Sequence, residues 1–245
     1  MKRFAADLHI HTALSPCASK DMTPRAIVDA AIRRRLSVIA ICDHNSAGNI
    51  AAVREAAGSE LAVLAGMEIT TAEEAHIVAL FPTAEAAVAA GEEARATLPD
   101  TTEAAVKRFG EALLMNAQGE VVATDRKMLS AATSFPLAES VELIRRHDGL
   151  AIAAHVDRPS FSVISQLGMF PEDVFFDAIE LSCASRPQSS EARLAGLGLP
   201  FIYSSDSHFL DNIGDASTLF QMREPTFEEL ALALKGVGGR RCHRA

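Results

Sequence analysis

Tryptophan is absent and aromatic residues make up only 5% of the 245 positions. The core must therefore be built mainly from Ala, Val, Leu and Ile. The four cysteines, Cys17, Cys42, Cys183 and Cys242, form no CxxC pair and no disulfide framework, so neither a disulfide-stapled scaffold nor a cysteine-only zinc site is expected. No apolar run approaches transmembrane length, and the opening Met-Lys-Arg-Phe-Ala-Ala-Asp lacks the apolar stretch of a signal peptide. A reducing cytoplasm and no membrane partner are the expectation. Basic residues are in deficit, 23 against 32 acidic, for a formal charge of −9. A nucleic-acid backbone calls for a basic face, so no long nucleic acid is expected as a partner. A small anionic substrate is compatible with this charge, because bound metal ions locally reverse the field.

Hydrophobic residues supply 49% of the chain, enough for one large core, and the length suits a single domain over residues 1–245. Short apolar runs recur at Phe4–Ile10, Ser37–Cys42, Leu61–Met67, His76–Phe81, Leu150–Ala154, Ala178–Leu181 and Phe201–Ser204. Near-continuous hydrophobicity suits strands buried on both faces of a parallel sheet. Helical patterns lie between several of them: Thr23-Pro24 onward, with Thr23 as N-cap, then Asn49–Ala57, Leu137–His147 and Thr226–Lys235. Strand alternating with helix points to an α/β barrel or a doubly wound sheet. Residues 84–135 break the rhythm with a helix over Ala84–Ala96, a second over Thr102–Asn116 and a hairpin around Gln118-Gly119. About 50 residues is short for a separate core, so this stretch reads as an insertion or lid. The Arg-rich tail after Gly238 is expected to fray.

Six of the eight histidines sit at or beside a strand end. His9 and His11 close the first run, and residues two apart along a strand face the same way, able to grip one metal. The second run ends in Cys42-Asp43-His44-Asn45, the third in Gly66-Met67-Glu68, the fifth in His155, and Asp206-Ser207-His208 comes after the seventh. Parallel α/β architectures gather their strand C-termini on one face, where catalytic residues live. His76 instead begins its run, so it must reach the site from the loop after Glu68 or from a reversed strand. Burying this many ionisable groups without a metal would be costly.

These residues, in this order, resemble the PHP family (polymerase and histidinol phosphatase domain). The resemblance implies a distorted (β/α)7 barrel holding two or three divalent metals, Mn, Fe or Zn, and hydrolysis of a phosphate ester. Carried over, His9, His11 and Asp206 bind one metal and Glu68 bridges two. His44, His76 and His155 complete the other sites, with His208 returning to the outer ion. Glu68, Asp206 and His208 stand as the catalytic group, and Asp43 orients His44. Where the family commonly places a further His or acidic ligand, this chain has Cys17. A thiolate there favours Zn or Fe(II); a small turn residue leaves one site weak or empty.

Such a site lowers the pKa of bound water from 15.7 to roughly 7. Arg158, three residues past His155, is the candidate clamp on substrate phosphate, against an ordinary ion pair with a nearby carboxylate. His147 reads as a helix C-terminal residue, Cys42 as apolar filler, and Arg33-Arg34-Arg35 as a solvated helix face. The main functional expectation is a phosphomonoesterase acting on a small molecule such as a nucleotide or a histidinol-phosphate-like ester. The alternatives are an exonuclease or oligonucleotide phosphodiesterase, and a non-catalytic metal-binding module.

Overall fold

The computed structural model describes residues 1–182 and 187–245; Cys183 lies outside the described residues. The elements run β1 (Lys2–Ile10), α1 (Pro24–Arg33), β2 (Val38–Ile41), α2 (Ile50–Ala57), β3 (Ala62–Thr70), β4 (His76–Phe81), α3 (Ala84–Ala96) and α4 (Glu103–Phe109). Next come β5 (Ala112–Met115), β6 (Val121–Asp125), α5 (Leu137–Arg146), β7 (Leu150–Ala153), α6 (Val163–Leu167), β8 (Ala178–Leu181), α7 (Pro187–Leu194) and β9 (Phe201–Tyr203). The chain closes with β10 (Thr218–Met222), α8 (Phe227–Leu234) and β11 (Arg241–Arg244).

Nine strands form one sheet in the order β11-β10-β1-β2-β3-β4-β7-β8-β9. Strands β1, β2 and β3 are parallel, β4 runs against β3 and β7, and β7, β8 and β9 are parallel again. The last strand of this order, β9, lies against the first, β11. The Thr218 hydroxyl accepts from Tyr203 N at 2.7 Å and donates to Tyr203 O at 2.9 Å, tying the two ends further. The result is a nearly closed, distorted (β/α) barrel, and its seven apolar strands are the seven runs legible in the sequence. The C-terminal ends of six of them meet on one face, and the reversed β4 brings its N-terminal end to that same face.

Two layers of apolar side chains fill the fold. Ala6, Leu8, Val38, Ala40, Leu64, Val78, Leu80, Ile152, Ala178 and Ile202 form one cluster with Leu230 and Leu234 of α8. The alternate residues, among them Ile39, Ile41, Ala65, Ile77, Ala79, Ala153 and Ile179, pack against α1, α2, α3 and α5. The period of two within a strand then sets the outcome at the functional face. Glu68 continues the inner series Leu64, Gly66; His76 continues Leu80, Val78; Glu180 comes two residues after Ala178. Near the end of β1 this alternation fails. Its pairing with β2 is irregular between Asp7 and Ile10, and Leu8 and Ile10 fall in different clusters.

Two sequence expectations change. The helix expected over Thr102–Asn116 stops at Phe109, because Gly110 adopts φ +96 with its backbone against Pro16; a Cβ there would lie 2.8 Å from Pro16 O. Beyond Gly110 the chain forms the hairpin β5–β6. The tail after Gly238 does not fray but pairs antiparallel with β10 as β11. Helix α3, within the stretch read as an insertion, packs on β3 and β4 as an outer-layer helix. The hairpin and the loop after it are tied to the barrel by two buried amides. Asn45 donates to Leu129 O and Ala131 O, and Asn49 donates to Leu113 O and accepts from Met115 N.

Candidate metal centre

Glu68 lies at the middle of a buried cluster. Its Oε1 is 2.7 Å from His76 Nδ1, 3.1 Å from His155 Nε2 and 3.4 Å from His9 Nε2. Its Oε2 is 3.0 Å from His44 Nδ1 and 3.4 Å from His11 Nε2. Asp206 Oδ1 lies 3.0 Å from His11 Nε2, 3.4 Å from His9 Nε2 and 3.6 Å from His208 Nδ1. All eight residues expected from strand ends and their loops are therefore brought together: His9, His11, His44, Glu68, His76, His155, Asp206 and His208. The strand order explains His76, which reaches the site because β4 runs in reverse.

Backbone conformation helps aim several of them. His155 and Asp206 hold φ of +27 and +51, and Asn45, next to His44, holds +47. Non-glycine residues at positive φ are uncommon and persist where the surroundings over-determine them. Asp7 supplies part of that restraint for Asp206. Its carboxylate is fully buried and accepts from Ser205 N, Ser205 Oγ and Gly214 N. Burial pushes its pKa up to about 6 despite those hydrogen bonds.

Supporting carboxylates fix the imidazoles. Glu180 accepts from His9 Nδ1 with both oxygens at 3.1 Å and from the His155 backbone N–H, which leaves His9 Nε2 facing the cluster. Asp43 was expected to orient His44, but its carboxylate instead holds the segment after β1. It accepts from Thr12 N, Thr12 Oγ1 and Ser15 Oγ, each at 2.7 Å. With its own proton committed to Asp43, the Ser15 oxygen accepts from His11 Nδ1 at 2.9 Å. Asp43 thus acts on His11 through Ser15, and reaches His44 only through the backbone N–H that Ser15 Oγ also accepts. Sequence reasoning missed Glu180, although a carboxylate inside the four-residue strand Ala-Ile-Glu-Leu was a usable signal.

The charges are strongly coupled. Burial alone would raise Glu68, but His76, His9 and His44 outweigh it and hold the carboxyl well below its usual range. Burial alone would likewise lower His9, His11 and His44; carboxylates reverse this, raising His9 well above its usual value and the other two to about 9. His208 moves the other way, to about 3, through burial and the neighbouring His11.

The cluster fits metal ions. Three overlapping sets have ligand atoms mutually within 4.8 Å: His9, His11, Glu68 and Asp206; His44, Glu68 and His76; and His11, His44 and His208. Among the described residues, His9 Nε2, His44 Nδ1 and Glu68 Oε2 are buried without a hydrogen-bond partner, the sort of orphaned donor set that a cation satisfies. Cys17 belongs to none of these sets; it is exposed at the cavity wall beside His44. Arg158 pairs with Asp206 rather than with Asp157, whose carboxylate accepts from Ser182 N and Oγ. A cavity of about 370 Å³ opens over the cluster, walled by Arg158, Phe161, Phe109, Met128 and Ser130 among others.

The PHP domain model matches residues 7–158, and a PHP-associated region matches 189–236. The chain belongs to the PHP domain family. Its His/Glu/Asp cluster is able to bind metals. The 5'-3' exoribonuclease Rnm of Escherichia coli is 39% identical over 80 residues, 30% of this chain and 26% of that protein. An uncharacterized Bacillus subtilis protein, YqxK, is 26% identical over 98% of this chain and 64% of its own length. Among solved structures, the lesion-specific endonuclease Q of Pyrococcus furiosus superposes with a TM-score of 0.78 at 20% identity, covering 98% of this chain and 58% of that one. Endonuclease Q bound to a 27-mer duplex with an abasic lesion at the active site superposes at 0.76 and 19% identity, again over 98% of this chain and 58% of that one. The PHP chain thus spans less than two thirds of each of these proteins. The expectation that no long nucleic acid could be a partner is overturned: this fold, over nearly all of the chain, is found on duplex DNA. Net charge is a poor guide because it averages over the whole surface, whereas a substrate would be met locally, at a site whose field bound cations would reverse. Among the described residues, no helix is long and apolar enough to cross a membrane.

Proposed function

We propose that this PHP protein hydrolyses phosphate esters of nucleic acids, as an exonuclease or oligonucleotide phosphodiesterase. The observation that carries the reading is the overlap of three ligand sets on Glu68 and its neighbours at the floor of a cavity with Arg158 on its wall. The partial likeness to an exoribonuclease and the fold shared with endonuclease Q support nucleic acid over an unrelated phosphoester. His9, His11, Glu68 and Asp206 would hold one divalent ion, His44 and His76 with Glu68 a second, and His11, His44 and His208 a third, with His155 beside Glu68. Such ions, Mn, Fe or Zn, supply the Lewis acidity that makes water nucleophilic at neutral pH and polarises a phosphoryl oxygen.

The chain's own residues do the rest. Glu180 and the Asp43–Ser15 pair keep His9 and His11 in the tautomer that points Nε2 inward. Arg158, paired with Asp206 on the cavity wall, would bind phosphate oxygens through its guanidinium. Phe109, Met128 and Ser130, which flank the hairpin β5–β6, act as one wall of the substrate mouth within a single domain over 1–245. Cys17 serves as a wall residue rather than a ligand.

A small-molecule phosphomonoester is the second reading, favoured by the cavity volume of about 370 Å³. A panel decides: 5'-phosphorylated RNA and DNA oligonucleotides, an abasic duplex, nucleoside bisphosphates and simple monoesters, each with added Mn, Fe(II) or Zn. Shortening of oligonucleotides is the expected result. Phosphate release from monoesters alone would select the second reading.

A further inference from the structure

The wall of the cavity carries an aromatic ring that the metal centre does not use. Phe161 lies in the loop between β7 and α6, three residues after Arg158, and is 45% exposed. Its backbone holds φ +57, a left-handed conformation that a bulky residue rarely adopts without cause. The loop is locked in place on both sides. Phe161 O accepts from His76 N at 2.9 Å, and Ser162 caps α6 in a reciprocal pair with Ser165. The ring stacks on the His76 imidazole with centroids 4.9 Å apart and planes 21° apart. Since His76 Nδ1 is 2.7 Å from Glu68, the phenyl ring stands one imidazole away from the central carboxylate. Leaving an apolar side chain the size of phenylalanine in water is unfavourable, so a strained, rigidly held ring facing a cavity fits a surface built to be covered.

We propose that Phe161 is a stacking platform for the nucleobase adjoining the scissile phosphate. The proposal rests on the phosphoester reading above and extends it to the base. Arg158 and the metal centre sit on the same cavity, so a phosphate engaged there carries its nucleoside past the Phe161 face. Phe109, 41% exposed, and Met128 line the cavity as well and give the base an apolar surround. Stacking tolerates any base, because every base has a π-face, so the platform recognises a nucleoside without selecting sequence.

Two measurements test it. Phe161→Trp places the chain's sole tryptophan at the platform, since the natural sequence has none. Titration of the metal-loaded variant with adenosine 5'-monophosphate should quench its fluorescence, while ribose 5-phosphate should not. Separately, kcat/KM is compared for a 5'-phosphorylated oligonucleotide with and without its terminal base, using wild type and Phe161→Ala. Stacking is worth roughly 1–3 kcal/mol per base, so loss of the base should cost wild type at least about five-fold, and Phe161→Ala much less. Metal content of Phe161→Ala, measured in parallel, shows whether His76 is still engaged. Equal dependence on the base in both proteins, or equal quenching by the two phosphates, overturns the platform. If no phosphoester is hydrolysed but the base still quenches, the hydrolytic reading fails and the platform stands.

Discussion

Filling the centre with metal at pH 7 should expel protons, and the structure sets how many. In the metal-free protein His9, His11 and His44 are held protonated by the surrounding carboxylates, His11 and His44 with pKa values of about 9. His208 is neutral, at about 3, and His76 lies below its usual value. An imidazole must be neutral to ligate, so binding at pH 7 removes a proton from each of His9, His11 and His44 and none from His76 or His208. The expected release is about three protons per chain. The sign is fixed by the direction of these shifts: groups with raised pKa compete with metal below that pKa, so affinity should climb from pH 7 to pH 9 and level off above. For a histidine at about 9, the competing proton opposes binding by roughly 3 kcal/mol at pH 7. Calorimetric titration with Mn or Zn in two buffers of different ionisation enthalpy reads the proton count. His11→Ala should lower it by about one. Release of less than one proton, or affinity independent of pH across this range, would refute the assignment of these histidines as ligands.

Three further outcomes rest on named contacts. Glu180→Gln leaves His9 Nδ1 without its carboxylate; loss of such a supporting partner costs about 10–100-fold in metal affinity, measured by competition with a chelator, with the far-UV circular dichroism unchanged. Asn49→Ala removes the side-chain partner of Met115 N and Leu113 O in a buried site. Roughly 1–3 kcal/mol of stability should be lost per unpaired group, and a urea midpoint equal to wild type would contradict the role given to that amide. Gly66→Ala sets a Cβ 2.6 Å from Cys42 Sγ and 2.9 Å from Ile41 O; overpacking against backbone costs typically 1–3 kcal/mol, read from the same urea titration.

Seven strands, most helices and all eight clustered residues were legible because each rests on a local signal: an apolar run, a cap such as Thr23, or a ligand at a strand end. The features that escaped depend on contacts between distant segments. The direction of β4 is set by its pairing with β3 and β7, so sequence left two routes for His76 and the sheet chose one. Strand β11 has only the pattern Arg-Cys-His-Arg and exists because β10 offers it an edge. Asp43 lies beside His44 in sequence, yet the fold turns its carboxylate to Thr12 and Ser15. Glu180 was hidden in plain view, since its role requires His9, 171 residues away. The nucleic-acid expectation failed for a related reason: composition has no spatial resolution.

The most direct test is metal content and phosphoester hydrolysis measured on the same samples of wild type, His11→Ala and Asp206→Ala. Wild type should carry close to stoichiometric Mn, Fe or Zn, hydrolyse the oligonucleotide panel, and lose activity on chelation and regain it on metal addition. Both variants should fold, bind less metal and be inactive. A wild-type protein that hydrolyses these substrates after complete metal removal, or a variant that keeps wild-type rates, would contradict the placement of the reaction at this centre.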